Sequence, residues 1–373
     1  MDIRRLDTSD KKDINRWVKF PFELYRGNKL WVPPLIGGVK TQLDPEKHPY
    51  YTHSTVDFFV AEENGRTLGR IAMLHNTRFN KFRDEKAGQF AFFEVVEDID
   101  VARALFEMAF NWCTDKGFDI IYGPKGMIGA DASGVLVEGF EHRPALNVPY
   151  NYPYYDDFIK DSGFVKERDA LSGYIDAKNT ELSPRVARIA ERIMERRGFS
   201  IKTFKTKDEM RAMVDKVKEV HHQVFGQGYG YYPHADEEYQ FVAKDLLTIA
   251  DPSLIKLVMK GDQIIGFLFA YHDVSAGIQR AKGKMFPFGW LHILWDRKFT
   301  KWVNVNGIGI LPEYQGLGAN AIMYYELAKT IKSFKFEHAD TVIVGEENYE
   351  SFSDNVALGV TWYKRHRLYK REL

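Results

Sequence analysis

The chain has 373 residues, more than one hydrophobic core ordinarily supports, so two domains of common size are expected. Hydrophobic residues make up 45%, aromatics 14% and charged residues 28%, which excludes a disordered chain and gives ample material for packed cores. Lys+Arg and Asp+Glu both number 52, so the net field of the molecule does not recruit a polyanion, and no nucleic-acid partner is expected.

The segment Asp2 to Asp10 reads as a short alternating strand followed by a Thr-x-Asp helix start, and it has a counterpart. Ile3, Leu6, Thr8 and Asp10 answer Ile201, Phe204, Thr206 and Asp208. Next come two hairpins, Phe58 to Leu74 with its turn at Glu63-Asn64-Gly65 and Ile255 to His272 with its turn at Lys260-Gly261-Asp262. Gly69 in the first matches Gly266 in the second, so one plan is used twice.

The following strand is Gln89 to Val95 in the first copy and Val303 to Ile310 in the second, which makes 277–302 an insertion in the second. Helices at 101–116 and 319–334 follow, then short apolar strands Asp119 to Tyr122 and Thr341 to Val344. A strand Leu171 to Asp176 closes the first copy, and a helix opened by Ser183-Pro184 and stopped at Gly198 joins the two. The expected organisation is a first domain over 1–176, a linker helix over 177–198 and a second domain over 199–373.

Gly307-Ile308-Gly309-Ile310-Leu311-Pro312-Glu313-Tyr314-Gln315-Gly316-Leu317-Gly318-Ala319-Asn320 carries a strand directly into a helix. Its glycines allow a tight turn and close approach of a ligand to backbone amides, while the helix N-terminus favours a phosphate. A turn of this kind also occurs for packing alone. Neither the Rossmann nor the Walker pattern is present.

Gln315-Gly316-Leu317-Gly318-Ala319 between strand and helix, followed by Val342 to Val344 and Asn348, resembles the acyl-CoA-binding core of the GNAT superfamily of N-acyltransferases, with its Q/R-x-x-G-x-G/A loop. The later spacing of Asn348, Ser351, Asn355, Leu358 and Gly359 is similar to that family's run after the fifth strand. Two positions depart from it: Asn320 stands where a small residue is usual, and Asn355 where many relatives keep a Tyr that protonates the leaving thiolate. In the first copy Phe93-Glu94-Val95-Val96-Glu97-Asp98-Ile99-Asp100 occupies the loop, and its acids would repel a pyrophosphate. Trp31-Val32-Pro33-Pro34, Phe92-Phe93-Glu94, the run Pro149 to Tyr155 and the ending Lys364 to Tyr369 look similar to a bacterial group that contains ceramide synthases.

The resemblance implies an α+β fold of two tandem GNAT-like domains, each a mixed, mostly antiparallel sheet flanked by helices. The first domain would be degenerate, the second catalytic. It implies acetyl-CoA or a longer acyl-CoA as donor, no metal, and a primary amine as acceptor; a lipid amine such as a sphingoid base is the favoured acceptor, a small molecule the second, and a peptide-bond-forming aminoacyl-tRNA chemistry the third, against which the zero net charge counts. A non-catalytic acyl-CoA sensor is a further alternative. Residues carried over for the donor are Ile308, Gly309, Ile310, Gln315, Gly316, Leu317, Gly318, Ala319, Asn320 and Asn348. A backbone N–H near Gly309 or Ile310 would polarise the acyl carbonyl. Glu94, Asp273, Glu346 and Glu347 are candidate bases, each also readable as a solvated or capping carboxylate and replaceable by a bound water, and Tyr349 and Tyr363 are candidate proton donors to the thiolate, each more readily a core or surface aromatic. On this reading Gly318→Glu abolishes CoA binding and leaves the fold intact.

His221 and His222 are adjacent in a helix, a spacing that points one inward and one outward rather than both at a metal. His48 and His53 read as structural, and the loops Phe225 to Tyr232 and Gly126 to Gly134 as either cleft walls or turns. In the insertion, Arg280, Lys282, Lys284, Arg297, Lys298 and Lys301 face Asp296 alone, and Leu291, Leu294, Trp295, Phe299 and Trp302 share a helical face. That composition fits a helix in an anionic lipid interface or over an amphiphile, and equally a helix packed on the domain with a solvated basic face. Cys113 is the single cysteine, Met1 to Asp13 lack a signal sequence, and no run approaches the about 18 apolar residues of a spanning helix. A cytoplasmic protein is expected; only if 277–302 is not packed on the domain does it serve as a peripheral contact with the inner membrane face.

Overall fold

The computed structural model describes residues 1–129, 131, 133–179, 184–226, 228, 230–348 and 359–373. By contact they form two compact units, Met1–Leu171 with Ser275–Trp295 and Tyr363–Leu373, and Ser172–Val274 with Asp296–Trp362. In chain order the first carries β1 (Asp2–Arg5), α1 (Lys11–Leu24), α2 (Ile36–Gln42), β2 (Thr55–Glu63), β3 (Arg66–His75), α3 (Thr77–Arg83), β4 (Ala87–Val95), α4 (Ile99–Asp115), β5 (Ile120–Gly123), β6 (Val135–Glu138), α5 (Tyr154–Asp161) and the start of β7 (Val165–Asp176). There follow α6 (Pro184–Arg197), β8 (Phe199–Thr203), α7 (Lys207–Arg211), α8 (Val214–Phe225), α9 (Asp236–Ile249), β9 (Ile255–Lys260), β10 (Gln263–His272), α10 (Ser275–Ala281), α11 (Gly289–Phe299), β11 (Trp302–Ile310), α12 (Ala319–Phe334), β12 (His338–Gly345) and β13 (Thr361–Glu372).

Both units are α+β, with sheets that are mostly antiparallel. The first runs β1-β2-β3-β4-β5-β13-β7, the second β7-β12-β11-β10-β9-β8, and each contains a parallel pair, β4 with β5 and β11 with β12. Each unit has its own apolar core, one built around Ile71, Phe90, Leu105 and Phe106, the other around Leu257, Ile265, Phe267 and Ile322.

The repeat is visible in the ladders. Gly69 pairs with Val95 and Gly266 with Ile310. A Cβ on Gly69 would lie 3.2 Å from the carbonyl oxygen of Glu94, and one on Gly266 2.8 Å from that of Gly309. The two glycines therefore mark the same close strand approach, and Glu94 in the first unit occupies the place of Gly309 in the second. The helix starts differ in detail: Asp10 caps α1 through Lys12 N, while Thr206 caps α7 through Glu209 N.

Two stretches of the second half of the chain pack in the first unit. Ser275–Trp295 is one: Gln279 donates to the carbonyls of Lys29 at 3.0 Å and Trp31 at 2.9 Å, and Ile36 N donates to Gly283 O at 2.9 Å. The segment 277–302 thus divides at Trp295. The C-terminal part of β13 is the other, pairing with β5 and β6. Asp169 of β7, 1% exposed, anchors it by accepting from Arg367 Nε at 2.8 Å, Arg367 Nη2 at 3.0 Å and Arg365 Nη1 at 3.1 Å.

Burial works against the Asp169 carboxylate, but the bonds from Arg367, Lys166 and Arg365 hold its pKa down at about 2. A folded-state pKa below the unfolded one gives stability that is present above about pH 4 and is lost as pH falls towards 2. Asp169→Asn is expected to lower the free energy of urea unfolding at pH 7 by about 3 kcal/mol. A loss below about 1 kcal/mol would mean the arginines stay solvated without it.

Candidate functional site

In the second unit the parallel ladder of β11 and β12 runs from Trp302 opposite His338 to Val305 opposite Thr341 and ends there. β12 continues to Gly345 but takes a left-handed turn at Ile343, φ 50°, a bulge-like bend for a β-branched residue. Among the described residues β11 continues to Ile310 paired with β10 alone, so the side of Gly307–Ile310 that faced β12 is an edge. Gly309 and Ile310 are buried and Ile308 is half-buried.

The chain then passes through Leu311 to Leu317 into α12. Gly316, φ 69°, and Gly318, φ 88°, both take the left-handed conformation. Gly318 is the N-cap of α12 and makes no side-chain cap. The first-turn amides of a helix have no intrahelical acceptor, so this end offers N–H donors to an anion. Gln315 folds back, its Nε2 3.3 Å from Ile310 O, joining the loop to the strand edge; Leu317 and Asn320 are half-buried and Ala319 is buried. A Cβ on Gly318 would lie 2.2 Å from Ile193 Cδ1, whereas nothing lies within 4 Å of one on Gly316. A Glu at 318 would therefore disturb α6 against α12, contrary to the expectation that the fold stays intact; Gly316 is the position that probes the loop alone.

The corresponding place in the first unit is filled from within. Tyr155 Oη receives Val95 N–H at 3.1 Å and donates to Glu94 Oε2 at 2.9 Å, Tyr25 donates to the same oxygen at 2.7 Å, and Tyr154 donates to Val95 O at 2.8 Å. Burial pushes the Glu94 carboxyl up, while Arg70, 3.9 Å away, and the two tyrosines pull it down. Only Val96 and Glu97 separate β4 from the N-cap of α4, and that cap is Asp98, whose carboxylate accepts Asp100 N–H at 3.0 Å. Side-chain groups thus occupy both the strand edge and the helix end.

Among the sequence-derived residues, Ile308 to Ile310 and Gln315 to Asn320 form one continuous edge and loop. Glu346, half-buried, and Glu347 and Asn348, both exposed, follow Gly345 at the same end of the sheet, because β11 and β12 run parallel. Asp273 is buried at the other end: its N–H donates to Trp302 O at 3.1 Å, and Trp302 to Gly309 spans about 23 Å of extended strand, beyond proton-transfer reach. Glu94 and Tyr363 belong to the first unit, where the Tyr363 ring meets the His142 ring at 4.8 Å and Lys364 Nζ at 4.4 Å. Tyr349, Ser351, Asn355 and Leu358 lie outside the described residues, as do parts of the loops 126–134 and 225–232.

One group at this edge escaped the sequence reading. Val224 of α8 and the Phe267 ring close over Gly309, at 2.6 and 2.7 Å from the position of a Cβ. His221, a turn earlier on α8, stacks on Phe267 with ring centroids 6.0 Å apart. His221 and His222 are both half-buried, the second bonded to Tyr231, rather than one inside and one outside. Among the described residues no group of His, Cys, Asp and Glu is placed to hold a metal ion, and no helix is long and apolar enough to cross a membrane.

The chain has the fold of tandem GCN5-related N-acetyltransferases. It superimposes over all of its length on a tandem GNAT protein from the clavulanic acid biosynthesis pathway, with TM-score 0.57, 13% identity and 98% of that chain covered. A GCN5-related N-acetyltransferase from Sphaerobacter thermophilus is similar over the same span, with TM-score 0.52, 13% identity and 95% of that chain. No family model matches the sequence. Among curated proteins it is similar to Protein YghO of Escherichia coli (strain K12), 24% identical over 98% of this chain and 94% of that one. It is also similar to the bacterial ceramide synthase of Caulobacter vibrioides (strain NA1000 / CB15N), 22% identical over 100% of this chain and 98% of that one.

Burial, with lesser effects from His234 and His222, lowers the His221 pKa to about 4. Its ring is neutral at pH 7, and because the unfolded chain takes up the proton first, stability falls as pH drops from about 6.5 to 4. An NMR titration is expected to give His221 a midpoint near 4; a midpoint near 6.5 would mean that α8 leaves Phe267 exposed to water.

Proposed function

We propose that the protein is an acyl-CoA-dependent N-acyltransferase whose second unit carries the reaction. The observation that supports this most is the contrast between the two units: one strand edge and helix end closed by tyrosines and aspartate, the other left as backbone donors. On this reading the pyrophosphate lies against Gln315 to Asn320 and the pantetheine arm pairs with Gly307–Ile310, as an added strand would. The N–H of Gly309 or Ile310 polarises the thioester carbonyl. The amine nitrogen attacks that carbon, a C–N bond forms and the C–S bond breaks. An amine that arrives as ammonium gives one proton to Glu346 or Glu347, directly or through water, before it attacks; the second, released as the C–N bond forms, leaves by the same route to solvent, and the thiolate leaves with a proton from solvent or from Tyr349. Asn348 borders the same end of the sheet, and neutral His221 keeps the wall over Gly309 free of a charge that would repel an ammonium substrate.

For the acceptor we favour a primary amine on a hydrocarbon chain, such as a sphingoid base, with a long-chain acyl-CoA as donor. The full-length similarity to a bacterial ceramide synthase supports this choice. Such an amphiphile is drawn from a membrane surface rather than from free solution.

The test is release of free thiol from palmitoyl-CoA or acetyl-CoA, with sphinganine or a short polyamine as acceptor and mass detection of the product. Long-chain release that requires sphinganine is expected. Acetyl-CoA turnover on the polyamine alone would make it a small-molecule N-acetyltransferase, and CoA binding without turnover on any amine would make it a sensor. Gly316→Asp adds a carboxylate in open space, in a conformation Asp tolerates at about 1 kcal/mol. It is expected to weaken CoA binding in calorimetry at least tenfold with little change in thermal stability; unchanged affinity would rule out this loop as the phosphate site.

A further inference from the structure

The segment from Lys282 to Trp295 turns its apolar side chains outward. Phe286 is 83% exposed, Phe288 68% and Trp295 62%, with Leu291 and Leu294 also exposed. An aromatic side chain presents roughly 150–250 Å², so these three rings alone leave about 400 Å² in water, comparable with the ~300–600 Å² of the largest apolar patch on a typical monomer. The helix does not recover this by packing, since the buried side chain of α11 is Asp296. The footing is nonetheless fixed, by Gln279 on the carbonyls of Lys29 and Trp31 and by Ile36 N–H on Gly283 O. The loop is held at its base and bare at its tip.

We propose that this segment docks the protein on an anionic lipid bilayer. Charge favours that occupant: Arg280, Lys282 and Lys284 are exposed beside the rings, Lys298 continues the series on α11, and no carboxylate occurs from Ser275 to Trp295. A basic side chain near an anionic surface contributes about 1 kcal/mol, and the rings between them partition into the boundary of headgroups and acyl chains. The tip offers little directional bonding to a protein partner; the Trp290 indole N–H is already given to Pro287 O at 3.0 Å. The packed-helix alternative left open by the sequence does not describe this face. The inference deepens the proposed function, naming the surface from which an amphiphilic acceptor is taken.

Flotation of the full chain with vesicles of phosphatidylcholine alone, and of phosphatidylcholine with one third phosphatidylglycerol, tests it. Binding to the anionic vesicles is expected, weakened by added salt and reduced at least tenfold in a Phe286→Asp, Trp295→Asp double variant whose circular dichroism is unchanged. Lys282→Glu with Lys284→Glu is expected to remove the preference for the anionic lipid. No flotation of the unaltered chain, or equal flotation of the double variant, overturns the proposal. So does a concentration-dependent dimer in sedimentation that the double variant abolishes, which would make a second copy the occupant. Thiol release from palmitoyl-CoA with sphinganine supplied in detergent micelles, without vesicles, reports on acyl transfer separately: its absence counts against the enzyme and leaves the vesicle result standing.

Discussion

The divergence of β11 from β12 after Val305 and Thr341 is the constraint on which the chemistry proposed for the second unit depends. Two parallel strands that stay paired offer no backbone groups to a ligand; two that part leave a row of donors and acceptors inside an otherwise buried sheet. β12 turns away at Ile343, and β11 bulges at Asn306, where its register with β10 shifts between Phe269–Gly307 and Ala270–Val305. The same strand then delivers the chain to Gly316 and Gly318, so that the edge and the helix end belong to one continuous piece of backbone.

In the first unit the same plan is closed from within. Buried polar backbone groups need partners, and there they come from Tyr154 and Tyr155 of α5, with Glu94 held by Tyr25 and Arg70 and with Asp98 on the helix end. A carboxylate at the position equivalent to Gly309 thus serves as a bonding hub. Ser275–Trp295 and the end of β13 pack in this same unit.

Much of this was legible in the sequence because it is local. The hairpin turns at Asn64-Gly65 and Gly261, the helix at 319–334 and the glycine loop are each set by residues within a few positions of one another. Contacts over long separations were not legible. Tyr155 against Val95 and Asp169 against Arg367 join residues far apart in the chain, and nothing in a single sequence marks them as neighbours. For the same reason Asp273 looked as close to the chemistry as Glu346, until the direction of β11 put it at the far end of the strand, and His221 gave no sign of the Phe267 ring it covers.

The most direct measurement is hydrogen exchange of the backbone amides, followed by mass spectrometry, with and without coenzyme A. The account predicts slower exchange in peptides covering Gly307–Ile310 and Gln315–Asn320, with the first unit's Phe93–Asp100 unchanged. Protection of Phe93–Asp100, or no protection of the second unit's edge and loop at saturating coenzyme A, would contradict it.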